Sequence, residues 1–182
     1  HNHVQAMLVL CDQNNLPELK NYLINLNDDL TTVDTSIKTG NVMIDAILNS
    51  KMSLIKAHSI PVSAKAAAPH ETDLSDIDLC VILGNLLDNA MEACVEQGAA
   101  EERFIRIYMG VMKRQLYISV QNTFSGGKKR TERLVSTKAE PGHGYGLARI
   151  DAIVKRNGGY INRQNEDGIF ATEVMLPLFR VS

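Results

Sequence analysis

Between Leu16 and Ile37 the apolar residues Leu16, Leu19, Leu23, Leu26, Leu30, Val33 and Ile37 are separated by steps that alternate between three and four. That spacing keeps a narrow apolar stripe on one side of a helix, the seam of a coiled coil or helical bundle. Pro17 suits the first turn of such a helix, where the amide it lacks would have no intrahelical partner. Asn14 and Asn15 ahead of it predict a turn, so residues 1–13 are expected to form a preceding antiparallel helix. Two such helices cannot bury both faces alone. Self-association into a four-helix bundle would bury them, so a homodimer through the N-terminal helices is expected, with packing on the rest of the same chain as the alternative.

The apolar spacing breaks at Thr39-Gly40-Asn41 and resumes through Ile44, Ile47, Leu48, Met52 and Ile55. The pattern leaves open whether residues 16–58 form one helix or two. Ser59 to Ala68, with Pro61 and Pro69 at its edges, predicts a linker and a first strand. A domain boundary is expected there, dividing a helical region, residues 1–58, from a second domain, residues 59–182.

The second region mixes periodicities. Asp73 to Gln97 is patterned as a helix, and Gly144 to Arg156 as another, ended by Asn157-Gly158-Gly159. Phe104 to Val111 and Gln115 to Asn122 alternate as a hairpin, with Ile105, Ile107, Met109 and Val111 facing Leu116, Ile118 and Val120. Tyr160 to Gln164 and Ile169 to Leu176 predict a closing hairpin around Asn165 to Gly168. The expected fold class is α+β: an N-terminal helical hairpin, then a two-layer α/β sandwich with a mixed sheet. Phe124 to His143 is polar, basic and aperiodic. At about 20 residues it exceeds an ordinary connection and suggests a functional lid.

Composition removes several function classes. A net charge of −2 and the absence of Trp give no footprint for nucleic acid or for an acidic membrane surface. Cys11, Cys80 and Cys94 form no CxxC and no zinc spacing, and are expected to be small buried thiols in a reducing cytoplasm. No apolar run approaches the roughly 18 residues of a membrane span. The chain opens at His1 with no initiator Met, so a longer protein is expected, with membrane attachment only through an upstream segment.

Three elements carry chemistry. On the helix patterned over Asp73 to Gln97, Asp78, Asn85, Asp88, Asn89, Glu92 and Glu96 fall within an arc of about 100°. Asn85 and Asn89 stand one turn apart. A carboxamide oxygen is a competent hard ligand for Mg²⁺, and the amide can donate to phosphate oxygens. Gly142-His143-Gly144-Tyr145-Gly146-Leu147 permits close backbone approach ahead of a helix N-terminus, with Lys128, Lys129, Arg130 and Lys138 upstream to meet phosphates. Asn122, at a strand end, has a carboxamide able to read the amino edge of adenine.

In order and content these elements resemble the GHKL ATPases, which include bacterial sensor histidine kinases, type II topoisomerases, mismatch-repair ATPases and heat-shock chaperones. Asn85-Leu86-Leu87-Asp88-Asn89-Ala90-Met91-Glu92-Ala93 looks like the N box. Asn122 stands where the first glycine box has an adenine-binding Asp, and Gly142 to Leu147 looks like the second glycine box. Gly158-Gly159 and Gly168 to Pro177 look like the closing hairpin. The resemblance covers about residues 59–178 and implies a Bergerat-like fold that binds ATP and Mg²⁺. Asn122, Ser136-Thr137-Lys138 and His143-Gly144-Tyr145-Gly146-Leu147 are similar to the Gram-positive kinases that sense quorum peptides, whose dimerisation region the first helices resemble.

That resemblance implies an ATP-dependent protein histidine kinase. Asn85 would ligate Mg²⁺; Asn89, Asn122, Lys138, Gly142, His143, Gly144, Tyr145, Gly146 and Leu147 would line the nucleotide. A response regulator would receive the phosphoryl group. The implied location is the cytoplasmic side of a protein in the bacterial cell membrane. The acceptor in those kinases lies in an Arg-His-Asp-x-x-Asn pattern. His1-Asn2-His3 aligns best with Asn2 as that Asn, which puts the acceptor upstream of His1; His1 is the alternative acceptor, and His3 a lesser one. Two departures stand out. Val81 occupies the position one turn before Asn85 where many relatives carry a Glu that acts as a general base, and Asp78 shares the face but lies two turns away, so no base is assigned. Asn122 replaces Asp. The alternatives are a nucleotide-binding scaffold or phosphotransfer protein without kinase activity, and an anti-sigma-type serine kinase, against which the long seam argues.

Overall fold

The computed structural model describes residues 8–11, 13, 15–19, 37–98, 102–124 and 145–179. The chain forms two compact units, His1–Val33 and Asp34–Ser182.

In the first unit residues 8–11 and 16–19 are helical. Asn15 starts the second stretch. Its Oδ1 accepts from the Glu18 amide at 3.4 Å and its Nδ2 donates to the Glu18 carboxylate, a local cap of the kind that satisfies helix-start donors. Leu16, the first seam residue, is 68% exposed. Leu23, Leu26, Leu30 and Val33 lie outside the described residues, as do His1 and His3.

The second unit opens with the break expected at Thr39-Gly40-Asn41. Gly40 has φ +96°, and the Asn41 side chain accepts from the Met43 and Ile44 amides, starting α1 (Val42–Ala57). The stripe Ile44, Leu48, Met52 and Ile55 is buried in the same core as the sheet. The compact unit therefore begins at Asp34, ahead of the boundary expected at residue 59. An apolar stripe announces burial without naming the surface that covers it, and here α2 covers it. After β1 (Val62–Ala66) comes α2 (Asp76–Gln97), which buries Leu79, Ile82, Leu83, Leu86, Leu87 and Ala90 and ends at Gly98, φ +84°.

The remaining elements are β2 (Ile105–Met112), β3 (Gln115–Thr123), α3 (Tyr145–Arg156), β4 (Tyr160–Glu166) and β5 (Ile169–Pro177). The sheet order is β1-β2-β3-β5-β4, with β1 parallel to β2 and the other neighbours antiparallel. This is the mixed sheet expected, with its helices on one face. In the β2–β3 hairpin Ile107 pairs with Val120, Met109 with Ile118 and Val111 with Leu116. Alternation sets this register because a slip of one residue would turn the core face to solvent. Asp167 and Gly168, both at positive φ, make the tight β4–β5 turn. A Cβ on Gly159 would stand 2.5 Å from the Met175 carbonyl oxygen, so only glycine lets the turn between α3 and β4 pass this close to β5.

Of the three thiols expected to be buried, only Cys94 is; Cys80 is half-buried and Cys11 exposed. Burial pushes the Cys94 thiol up in pKa. Among the described residues no helix is long and apolar enough to cross a membrane.

Candidate nucleotide-binding site

The polar arc of α2 survives folding because its opposite side supplies the core. Asn85 is half-buried, and its Nδ2 donates to the Val81 carbonyl at 2.7 Å. The reverse amide orientation would set two oxygens against each other, so Oδ1 is the atom left free to face away. It lies against the first turn of α3: a Cβ on Gly146 would stand 2.8 Å from Asn85 Oδ1. Glycine at 146 is what permits that approach. Val81, at the position where a base was sought, packs its side chain on the core and anchors Asn85 through its carbonyl.

Asn89 carries a different signature. Its Nδ2 is buried and lacks a hydrogen-bond partner. Leaving such a donor unmet costs about 1–3 kcal/mol. An orphaned donor beside a presented carboxamide oxygen fits a ligand rich in acceptor oxygens with a hard cation, the chemistry of a magnesium-bound polyphosphate. Among the described residues no group of three or more His, Cys, Asp or Glu side chains is arranged to hold a metal. Mg²⁺ needs no such cage, since it is commonly held by one or two protein oxygens plus substrate phosphates.

Asn122 is buried at the end of β3, on the face that Leu116, Ile118 and Val120 turn to the helices. Its Nδ2 donates to the Thr123 carbonyl at 3.0 Å. Phe170 pairs with it across β5, and Phe124 meets Phe170 edge-on at 6.2 Å, packed with Ala93 one turn beyond Asn89. This apolar cluster was not singled out in the sequence. Phe124 extends the alternation of β3, and that periodicity is the signal for it.

Asp78 is drawn elsewhere. Its carboxylate accepts from Arg156 through both Nε, at 3.3 Å, and Nη2, and from Asn157 Nδ2 at 3.1 Å. It ties the start of α2 to the end of α3. A second tie holds α3 to β4, where Arg163 pairs with Asp151 at 2.5 Å. Neither set of partners is near in sequence. Asp88, between the two asparagines, pairs with Lys51 of α1 at 2.5 Å, while Glu92 is exposed. Of the glycine loop, Gly146 and Leu147 are placed, Leu147 against the core, and Tyr145 starts α3. Lys128, Lys129, Arg130, Lys138, Gly142, His143 and Gly144 lie outside the described residues.

Comparison with known proteins identifies the family and the fold. The GHKL domain family matches residues 74–177. The probable C4-dicarboxylate sensor kinase of Halalkalibacterium halodurans is 32% identical over 114 residues, covering 59% of this chain and 21% of that one. Sensor protein CitS of Bacillus subtilis is 33% identical over 133 residues, covering 68% and 23%. The chain thus spans less than a quarter of the length of these relatives. In fold it is similar to the catalytic domain of histidine kinase ThkA, with a TM-score of 0.62 at 21% identity over 78% of this chain and 94% of that one. It is also similar to the Acinetobacter baumannii histidine kinase AdeS, with a TM-score of 0.59 at 13% identity over 97% and 92%. Histidine kinase domains of the GHKL type bind ATP, generally with Mg²⁺. Matched by the GHKL domain family over residues 74–177, more than half of its length, and built on the mixed sheet described above, the chain belongs to the GHKL family.

Proposed function

We propose that this chain is the nucleotide-binding catalytic part of a two-component sensor histidine kinase. The observation that carries the reading is the Asn85–Gly146 approach beside the orphaned donor of Asn89, within a GHKL match. Asn85 Oδ1 ligates Mg²⁺, and Asn89 Nδ2 donates to a phosphate oxygen. Asn122 orients adenine. By the family resemblance, Lys138, Gly142, His143, Gly144, Tyr145, Gly146 and Leu147 contribute the remaining contacts to the nucleotide. Bound Mg-ATP supplies the γ-phosphoryl group. The protein's part is positioning and charge stabilisation, which is most of what phosphoryl transfer requires. The acceptor is a histidine on the N-terminal helices of the whole protein, upstream of His1 when Asn2 is aligned with the family's Asn, and those helices dimerise through the seam that begins at Leu16. A response regulator is the next acceptor, and the whole protein is held at the bacterial membrane.

Two signal classes fit the whole protein. A small dicarboxylate is supported by the name of the H. halodurans relative. A quorum peptide is supported by Asn122, Ser136-Thr137-Lys138 and the His143 to Leu147 sequence.

Titration calorimetry with ATP and Mg²⁺ tests the reading. The chain is expected to bind Mg-ATP, and Asn85→Ala to lose Mg²⁺-dependent binding while circular dichroism stays native. Unaltered binding by Asn85→Ala would sink it.

A further inference from the structure

Asp88 sits inside the stretch that resembles the N box, three residues after Asn85 and immediately before Asn89, so its carboxylate stands at the edge of the polar arc that carries both carboxamides, on the side of Asn85. An unpaired carboxylate there would repel a polyphosphate and compete with the carboxamides as a hard oxygen ligand for Mg²⁺. The fold supplies a counter-charge from a different element. Lys51 of α1 places Nζ 2.5 Å from Asp88 Oδ1, with 19% of the Lys51 side chain exposed against 41% for Asp88. The lysine is held in place by its own helix. One turn earlier, Ile47 reaches the α2 backbone at Gly84, where a built Cβ would lie 3.8 Å from Ile47 Cδ1. A pair this exposed adds little to stability. Its consequence is electrostatic.

We propose that Lys51 is a positioning residue for the nucleotide site: its ammonium neutralises Asp88, so that the N-box helix presents neutral carboxamides to the polyphosphate. Lys51 does not touch the nucleotide; it acts through Asp88. This rests on the reading that the site takes Mg-ATP. It adds that α1, the element that leads in from the helical region, sets the charge of the site.

The test compares affinities of the full chain for ATP, ADP and adenosine, with Mg²⁺, by calorimetry. Wild type, Lys51→Met, Lys51→Arg and the double variant Lys51→Met/Asp88→Asn are measured, each checked for native circular dichroism. Methionine keeps the packed stem and removes only the charge. Lys51→Met is expected to weaken ATP about tenfold, the size of one uncompensated like charge in a half-exposed site, ADP less, and adenosine hardly at all. Lys51→Arg retains ATP affinity, and Asp88→Asn in the Lys51→Met background restores it. Equal losses for ATP and adenosine would mark a structural tether and overturn the proposal. A double variant that stays weak would make Lys51 a direct phosphate contact, which overturns it equally. Wild type that binds no ATP sinks the underlying reading, whereas wild type that binds while Lys51→Met matches it sinks this inference alone.

Discussion

Asn85 and Gly146 meet across the gap between α2 and α3, with Asn85 Oδ1 occupying nearly the space a Cβ of residue 146 would need, 2.8 Å away. The contact joins the stretch that resembles the N box to the one that resembles the second glycine box, some sixty residues apart in sequence. The Asn85 carboxamide is held by its Nδ2 bond to the Val81 carbonyl. It cannot turn from Gly146 without giving up that bond.

Gly146→Ala therefore separates stability from function. The added methyl can be relieved by rotating the end of Asn85, and alanine is the better helix former, so stability should change by no more than about 1 kcal/mol. The rotation moves the oxygen that faces the site. ATP affinity is expected to fall roughly tenfold, about 1.4 kcal/mol, in calorimetry, with a thermal midpoint close to wild type. A variant that keeps full affinity would show that the Asn85 orientation is dispensable.

Asn89→Ala should move the same two quantities in opposite directions. Removing a buried unpartnered donor and gaining helix propensity is expected to stabilise the free chain by about 1 kcal/mol, a rise of roughly 2–4 °C in midpoint for a chain of this size. The upward shift in midpoint that Mg-ATP confers on wild type by mass action should disappear. Thermal melts with and without nucleotide check both. A destabilised free chain that still shifts with Mg-ATP would mean that Asn89 is an ordinary structural residue.

What was readable in advance divides along a physical line. Local periodicity predicted the β2–β3 hairpin and most of its inward residues, the break at Gly40 and the polar arc with Asn85 and Asn89, because each depends on neighbours along one helix or strand. Partnership across elements left no such trace. The α1 stripe through Ile44, Leu48, Met52 and Ile55 continues the three-and-four spacing of the preceding seam, so the sequence placed it with the helical region, while the fold buries it against α2. Val111 was set among the inward residues facing Leu116, Ile118 and Val120 yet is exposed, although it does pair with Leu116. Asp78 looked like a remote acid of the polar face because Arg156 and Asn157 lie 78 and 79 residues away. Lys51 and Asp88 were each visible, but 37 residues of chain hid their pairing.

Asp78→Asn tests the structural role of that acid. The buried carboxylate joins α2 to α3 through Arg156 and Asn157, and the exposed arginine limits what the tie contributes. A loss of roughly 1–2 kcal/mol is expected, read as a lower urea midpoint with unchanged slope. Affinity for ATP at a temperature where the variant is folded should stay within about threefold of wild type, less than 0.7 kcal/mol. Normal stability with a large loss of affinity would return Asp78 to the nucleotide site.

Tyr117 gives the fold an alkaline sensitivity. On the face of the sheet away from the helices, its hydroxyl donates to Glu173 Oε1 at 2.5 Å, and Asn162 Nδ2 donates to the other carboxylate oxygen at 3.2 Å. Burial holds the Tyr117 hydroxyl above the ordinary tyrosine value, and the bond to Glu173 acts in the same direction. A pKa raised on folding means that the unfolded chain ionises first. The contribution is therefore complete below the unfolded value, about pH 10, and is lost as the pH rises through the folded one. Urea midpoints measured from about pH 8 to pH 11 should fall more steeply for wild type than for Tyr117→Phe, which keeps the ring against Tyr108 but has no proton to lose. Parallel falls in the two proteins would assign the alkaline loss to other groups.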